Sequence, residues 1–333
     1  MLWALFHWSG LKPGELWSTW ARLSPLVALE AFAVHLAIYV VRSQRFRVLL
    51  PQAQRPAHGA MLAISAAHNL AAYVLPAKTG EMTLVVYLRS CCAVSTAAGL
   101  AALFVSRLLD LATLCFWLAV ATLYLMSTRG AELPPWLYGL AAALLFASLL
   151  LMLLSSRSDI LLRAVARFAR AVGAGRGKWG AKILARVEEL SLALRLAPAG
   201  RTLWIAAAQS LLMWLGIFAF YGILARGFGL DGDLGISGAA FGSSLAVLTN
   251  LLPINSFAGF GTQEGGWVLG FGLLGVPRDL ALSTGLGVHL AQLASTVVLG
   301  VLGHLAMGWM PKRRVSGAGS GRNNGGSDGP SVG

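Results

Sequence analysis

The chain has 333 residues, of which 57% are hydrophobic and only 12% are charged, and its mean hydropathy is +0.70. A soluble globular domain carries about 25% charged residues, so this composition excludes an ordinary soluble protein and indicates a polytopic membrane protein. The net charge of +13 would suggest nucleic-acid binding in a soluble protein, but here the basic residues collect in a few loops. The positive-inside rule produces that distribution.

The first half of the chain alternates long and short apolar segments. Residues 23–41 can span a bilayer once, and we predict that the arginine-rich, acid-free stretch 42–55 is a cytoplasmic loop. Residues 61–75 are too short to span and stop at Pro76. Residues 82–126 are about twice the length of a span, so we interpret them as a short returning arm followed by a full helix over 101–126.

The second half repeats this order after one connecting span at 134–155. Residues 157–201 carry ten basic residues against three acids and predict either an interfacial helix on anionic lipid or a solvated cytoplasmic loop. Residues 202–225 span, 236–252 enter, 267–276 return and 280–310 cross again. The Gly/Ser/Asn-rich tail 311–333 is predicted to be disordered and cytoplasmic.

These segments predict an all-α integral membrane domain over 1–310 with five crossings and two re-entrant helix pairs. Half one covers about 20–127 and half two covers about 202–310. An odd number of crossings separates the halves, so the two re-entrant pairs are predicted to enter from opposite faces, which is an inverted repeat.

Two apolar segments are broken by the same order of residues: an Asn, a Leu-Pro pair, a Gly-bearing bend and a Glu. The first break comprises Asn69, Leu75, Pro76, Gly80 and Glu81, and the second comprises Asn250, Leu252, Pro253, Gly259, Gly261 and Glu264. A carboxylate at membrane depth costs about 2.5–3.5 kcal/mol, and paired Gly/Pro-broken segments point to a transporter's binding site. Non-helical backbone at this depth implies a wet cavity. The helix N-terminus after each break favours an anion. Alternatively, Glu81 and Glu264 cap these ends, or they take up a proton or a cationic headgroup.

A second pattern of similar spacing follows each break. Arg107 lies 26 residues after Glu81, and His289 lies 25 residues after Glu264. Asp110 and Gln292 then follow three residues later, on the same helix face as Arg107 and His289 respectively. We predict an internal ion pair of Arg107 with Glu81 or Asp110, with either a functional or a purely structural role. Lys78 could hold a lipid phosphate or reach toward the membrane surface.

Several kinds of chemistry find no support in the sequence. The glycines at 259–265 lack the spacing and context of a nucleotide loop, and the histidines show no metal-ligand spacing. The three cysteines lie in apolar segments without a disulfide or zinc pattern. We therefore expect no catalytic residue, no cofactor and no metal.

At these motifs the chain resembles the transmembrane-domain family of lysylphosphatidylglycerol synthases/flippases over about residues 10–310. The matching residues are Arg42, Arg45, Phe46, Arg47 and Leu50, the first break, Ser106 to Asp110, and the second break with Gly265, Gly275 and Val276. The resemblance implies a helical fold with re-entrant helices and a role in moving lipid headgroups between leaflets. It also implies that Arg45, Glu81, Arg107, Asp110 and Glu264 are functional. With Lys78, Gly80, Gly261 and His289 they form the predicted substrate-binding set.

Three features depart from the family pattern. No aminoacyl-transferase domain is recognised after the membrane region, so we do not expect synthase activity. The segment before Leu23 is short, and His289 stands where many relatives carry Arg.

Two functional hypotheses follow. The first is a translocator of the bacterial inner membrane that moves a lipid with a charged or sugar-bearing headgroup. The second is an accessory protein of a lipid-modification pathway, or a membrane transferase. Membrane lipids with anionic or polar headgroups are the expected partners, nucleic acid is not, and a homo-oligomer is left open.

Overall fold

The computed structural model describes residues 23–129, 134–156, 200–230, 235–251 and 259–310, together with residues 167, 170 and 171. Most of the predicted basic segment 157–201, the tail 311–333 and residues 252–258 of the second break lie outside these residues.

The described residues contain helices and no strand, which confirms the predicted all-α class. The α-helices are α1 (Pro25–Leu49), α2 (His58–Val74), α3 (Thr83–Cys92), α4 (Thr96–Arg129), α5 (Trp136–Ser156), α6 (Arg201–Gly227), α7 (Gly235–Leu251), α8 (Thr262–Gly272) and α9 (Arg278–Gly308). Two 3-10 helices, Gln52–Gln54 and Pro76–Met82, lie on either side of α2.

The ends of these helices follow from local sequence. The Ser24 hydroxyl accepts a hydrogen bond from the Leu26 N–H, and Pro25 occupies the first position of α1. Helix α2 ends at Val74 because Leu75 precedes Pro76, and the residue before a proline is disfavoured in the helical conformation. Ala93 ends α3 in the left-handed conformation, with φ of 56°.

Among the described residues, α1, α4, α5, α6 and α9 are the five helices long and apolar enough to cross a membrane. This number matches the five predicted crossings, and the chain is a multi-pass membrane protein. Helices α2 and α7 have 17 residues, and α3 and α8 have 10 and 11. At 1.5 Å per residue they are about 15–25 Å long, which is shorter than a hydrocarbon core of about 30 Å. Such lengths suit re-entrant pairs, whose entry into the membrane stays a prediction.

Several predicted boundaries were wrong, and helix α4, for example, begins at Thr96, five residues earlier than predicted. Helix α1 continues to Leu49, so Arg42, Arg45 and Arg47 are helical and do not belong to a loop. The helix can continue because partners on other helices take up the charge of Arg45 and the donors of Arg42. Helix α8 begins at Thr262, five residues earlier than predicted, because Glu264 caps its first turn.

Two helix pairs pack backbone against backbone at glycines. A Cβ atom added to Gly270 of α8 would lie 2.0 Å from the carbonyl oxygen of Gly242 in α7. A Cβ atom on Gly303 of α9 would lie 2.7 Å from the carbonyl oxygen of Ala63 in α2. These close approaches hold α7 against α8 and α2 against α9, and so fix the positions of Glu264 and His289.

Candidate functional site

A chain of charged side chains joins α1, α4 and the first break. Arg45 of α1 and Asp110 of α4 form an ion pair, and Asp110 Oδ2 lies 3.2 Å from Nη2 of Arg45. Arg107 then places Nη1 3.1 Å from Asp110 Oδ2 and Nη2 2.8 Å from Glu81 Oε2. Both predicted ion pairs of Arg107 therefore form, and one guanidinium bridges the two carboxylates.

Burial changes steeply along this chain of charges. The side chains of Arg45 and Asp110 are 1% and 4% exposed, whereas those of Glu81 and Arg107 are 23% and 39% exposed. Two neutral groups from α6 complete the buried end: Ser210 Oγ accepts from Arg45 at 2.9 Å, and the indole of Trp214 donates to Asp110 at 3.3 Å. The inner pair is anchored, and the outer pair is accessible.

Arg42 adds a third guanidinium to this region. It donates to the side-chain oxygen of Asn69 on α2, and Asn69 in turn donates to the hydroxyl of Tyr39 at 2.5 Å. Arg42 is close enough to Asp110 to interact with it electrostatically. We call Arg42, Arg45, Glu81, Arg107 and Asp110 the first charge cluster. It contains three guanidinium groups and two carboxylates, which leaves an excess of positive charge.

The first break is a 3-10 turn in which Gly80 packs directly against the backbone of α2. A Cβ atom on Gly80 would lie 2.2 Å from the carbonyl oxygen of Ala71, so only glycine fits here. Thr83 donates to the carbonyl of Gly80 at 2.7 Å and lies 3.1 Å from Nδ1 of His68. Gly80 thus positions Glu81 by packing, and its contact with a substrate stays a prediction. Lys78 belongs to the same turn, and its predicted phosphate contact is likewise a prediction.

The second break presents a different pair. Glu264 Oε2 accepts a hydrogen bond from the backbone N–H of Gly261 at 2.7 Å, so this carboxylate caps α8, which is one of the predicted interpretations. Gly261 has φ of 88°, a conformation that favours glycine. Oε1 of Glu264 lies 2.5 Å from Nδ1 of His289. These two side chains are 2% and 0% exposed.

A hydrogen-bonded chain of neutral groups lies beside this pair and connects the two halves. The hydroxyl of Tyr73, on α2, donates to Gln263 at 3.3 Å. The Gln263 amide donates to Gln292 at 3.0 Å, and Tyr221 donates to the same oxygen at 3.1 Å. The sequence pattern singled out Gln292 but not Tyr73 or Tyr221, because a tyrosine in an apolar span gives no signal of its partner.

A cavity of about 340 Å³ lies between α1, α6, α7 and α8. Its lining carries two exposed charged side chains, Glu30 and Arg226, among small and apolar residues. Glu30 precedes Arg45 by 15 residues on α1, which at 1.5 Å per residue separates the cavity from the first charge cluster by about 22 Å along the helix.

Comparison with known proteins completes this description. Neither a curated protein nor a solved structure matches the chain. A family model described as the lysylphosphatidylglycerol synthase TM region matches residues 1–300. This helical membrane protein, with its two broken segments and its buried charge pairs, therefore belongs to the lysylphosphatidylglycerol synthase TM region family.

Proposed function

We propose that this protein moves an amphiphilic lipid with a charged or sugar-bearing headgroup between the two leaflets of the bacterial inner membrane, with its C-terminal tail in the cytoplasm. The observation that carries the proposal is the position of Arg107, a partly exposed cation at the accessible end of an otherwise buried charge cluster. The family match supports a role in lipid modification or translocation.

The first charge cluster suits a lipid phosphate. A guanidinium group binds phosphate through several N–H donors, and ionised partners strengthen those hydrogen bonds. The excess positive charge of the cluster favours an anion, while Glu81 and Asp110 hold Arg107 in place. The cluster therefore offers a headgroup a defined polar site inside an apolar bundle.

The cavity lined by Glu30 and Arg226 offers the headgroup a second place with charged side chains on the proposed route. It lies about 22 Å from the first charge cluster along α1, which is most of a hydrocarbon core of about 30 Å. A headgroup that passes between these places would exchange one polar site for another while its tails remain in lipid. Such an arrangement suits translocation better than chemistry on a bound substrate, and we assign no catalytic residue.

The test is a headgroup-accessibility assay with the full chain in lipid vesicles. Labelled phosphatidylglycerol, aminoacylated phosphatidylglycerol, phosphatidylethanolamine and a glycolipid serve as separate probes. We expect at least one probe to cross faster with the protein than in empty vesicles, and Glu81→Gln, Arg107→Gln and Glu264→Gln to lose that activity while still inserting. Arg278→Gln, at an exposed helix start, is the control and should keep it.

Three outcomes are decisive. Full activity in the Glu81, Arg107 and Glu264 variants would refute the assigned site. No movement of any probe would refute translocation. If deletion of 157–201 then abolished lipid modification in cells, the accessory hypothesis would replace it.

A further inference from the structure

The pair formed by Glu264 and His289 is a deeply buried ionisable contact of the second half. Nδ1 of His289 and Oε1 of Glu264 are 2.5 Å apart, and neither side chain is more than 2% exposed. The ring of Phe260 lies on the imidazole with a centroid separation of 4.5 Å. One side of the pair is thus closed by an aromatic ring.

The corresponding place in the first half is built differently. Arg107 and His289 follow their respective glutamates by 26 and 25 residues, and each contacts its glutamate. A guanidinium keeps its proton under all physiological conditions, whereas an imidazole exchanges a proton near neutral pH. The two halves therefore place a permanent cation and a proton-exchanging group at matching positions.

Burial makes proton exchange at this pair consequential. Adding or removing one proton changes the charge of a site that has almost no contact with solvent, and an isolated buried charge is costly. The protein can accommodate the change by moving the two side chains apart or by opening the site to water. Either response would weaken the contact that joins α8 to α9 at this pair.

Among the described residues, the other titratable groups that the surrounding helices place near the pair are three tyrosines and Arg42. Tyr73 of α2 meets the His289 ring edge-on at 6.0 Å, and Tyr221 of α6 reaches the site through Gln292. On α1, Tyr39 and Arg42 are both bonded to Asn69. Helix α7, which packs against α8, carries no titratable side chain. A tyrosine ordinarily titrates near pH 10, well above the range of an imidazole or a carboxylate.

We propose that Glu264 and His289 together bind one exchangeable proton, and that its uptake from water on one face and release to the other couples lipid movement to a proton gradient. This inference rests on the proposed function for its coupling, but the proton site itself does not. Gln263 lies next to Glu264, and Gln292 lies one turn beyond His289 on the same helix. The hydrogen bonds of Gln263 with Gln292 and with Tyr73 would transmit the change in protonation to the first half.

The proton site can be tested without any lipid substrate. In the full chain labelled with ¹⁵N-histidine and placed in lipid nanodiscs, His289→Gln identifies the His289 signals by their loss. We expect these signals to change protonation between pH 5 and 9, and to change course in Glu264→Gln. His304→Gln, which removes an exposed histidine that contacts Tyr87, is the control and should leave them unaltered. A fixed protonation state of His289 across this range would overturn the inference.

Coupling is tested in vesicles with imposed pH gradients of either direction. We expect lipid movement by the parent protein to depend on the direction of the gradient, and this response to be lost in His289→Arg, which places a permanent cation beside Glu264. Movement that is equal in all gradients would overturn the coupling and leave translocation standing. No movement in any gradient would refute the proposed function and its coupling, while the histidine signals would still decide the proton site.

Discussion

Arg45 and Asp110 are 65 residues apart in sequence, yet their side chains meet in an ion pair that is almost completely buried. The pair ties the last turns of α1 to the middle of α4, and through Arg107 it reaches the first break. A buried pair of this kind holds an accessible neighbour in a defined orientation. The inner pair is therefore the structural support of the partly exposed Arg107.

Breaking this pair should destabilise the protein. Asp110→Asn leaves Arg45 buried without its full countercharge, and such a loss costs about 3–5 kcal/mol. Thermal unfolding in detergent, followed by tryptophan fluorescence, should show a clear fall in the midpoint. Asp279→Asn, at an exposed first turn of α9, is the matched control and should change the midpoint only slightly. Equal midpoints for the two variants would contradict the structural role of the pair.

Arg107 should not be replaceable by lysine. Its guanidinium contacts Asp110 and Glu81 through two different nitrogens, which a single ammonium group cannot reproduce with the same geometry. We expect Arg107→Lys to insert normally and to lose most of the lipid movement in vesicles. Activity close to that of the parent would mean that charge alone suffices and that the bridge is not required.

The glycine contact between α7 and α8 should be sensitive to one methyl group. Gly270→Ala places a Cβ atom against the backbone of Gly242, and overpacking of this kind costs about 1–3 kcal/mol. Gly272→Ala, two residues farther along the same helix, meets nothing within 4 Å and is the control. Unfolding midpoints should fall for the first variant and stay or rise for the second. A fall of the same size in both would contradict the role of this packing contact, because the exchange of Gly for Ala by itself favours a helix.

The inverted repeat makes a topological prediction. In a background lacking Cys91, Cys92 and Cys115, single cysteines at Thr79 and Gly265 would mark the two breaks. A membrane-impermeant maleimide should reach Thr79→Cys from the cytoplasmic face and Gly265→Cys from the opposite face. Reaction of both from one face would eliminate the inverted arrangement.

Hydropathy and length predicted the helices well, because an apolar run either reaches the thickness of a membrane or does not. The same criterion failed at the end of α1. Three arginines there resemble a loop in sequence, but two of them are paired inside the bundle with the distant Asp110 and Asn69. Partners this far apart in sequence leave no local signal.

Site residues could be predicted where the two halves of the chain share the same spacing of residues. The matching spacings singled out Arg107 after Glu81 and His289 after Glu264. An ion pair of Arg107 with Glu81 was predicted and forms, whereas the contact of His289 with Glu264 was not predicted. The contributions of Trp214, Ser210 and Tyr73 could not be predicted, since each depends on how α6 and α2 pack against other helices. The functional roles of the predicted set stay predictions.

The glycine contacts place Glu264 and His289 on two different closely packed helix pairs. Glu264 lies on α8, which packs backbone to backbone on α7 at Gly270, whereas His289 lies on α9, which packs in the same way on α2 at Gly303. A displacement of one helix pair past the other must therefore alter the separation of carboxylate and imidazole. The distance between the Glu264 carboxylate and the His289 imidazole therefore reports on the conformation of the protein, and a spectroscopic probe of the His289 ring would measure its change.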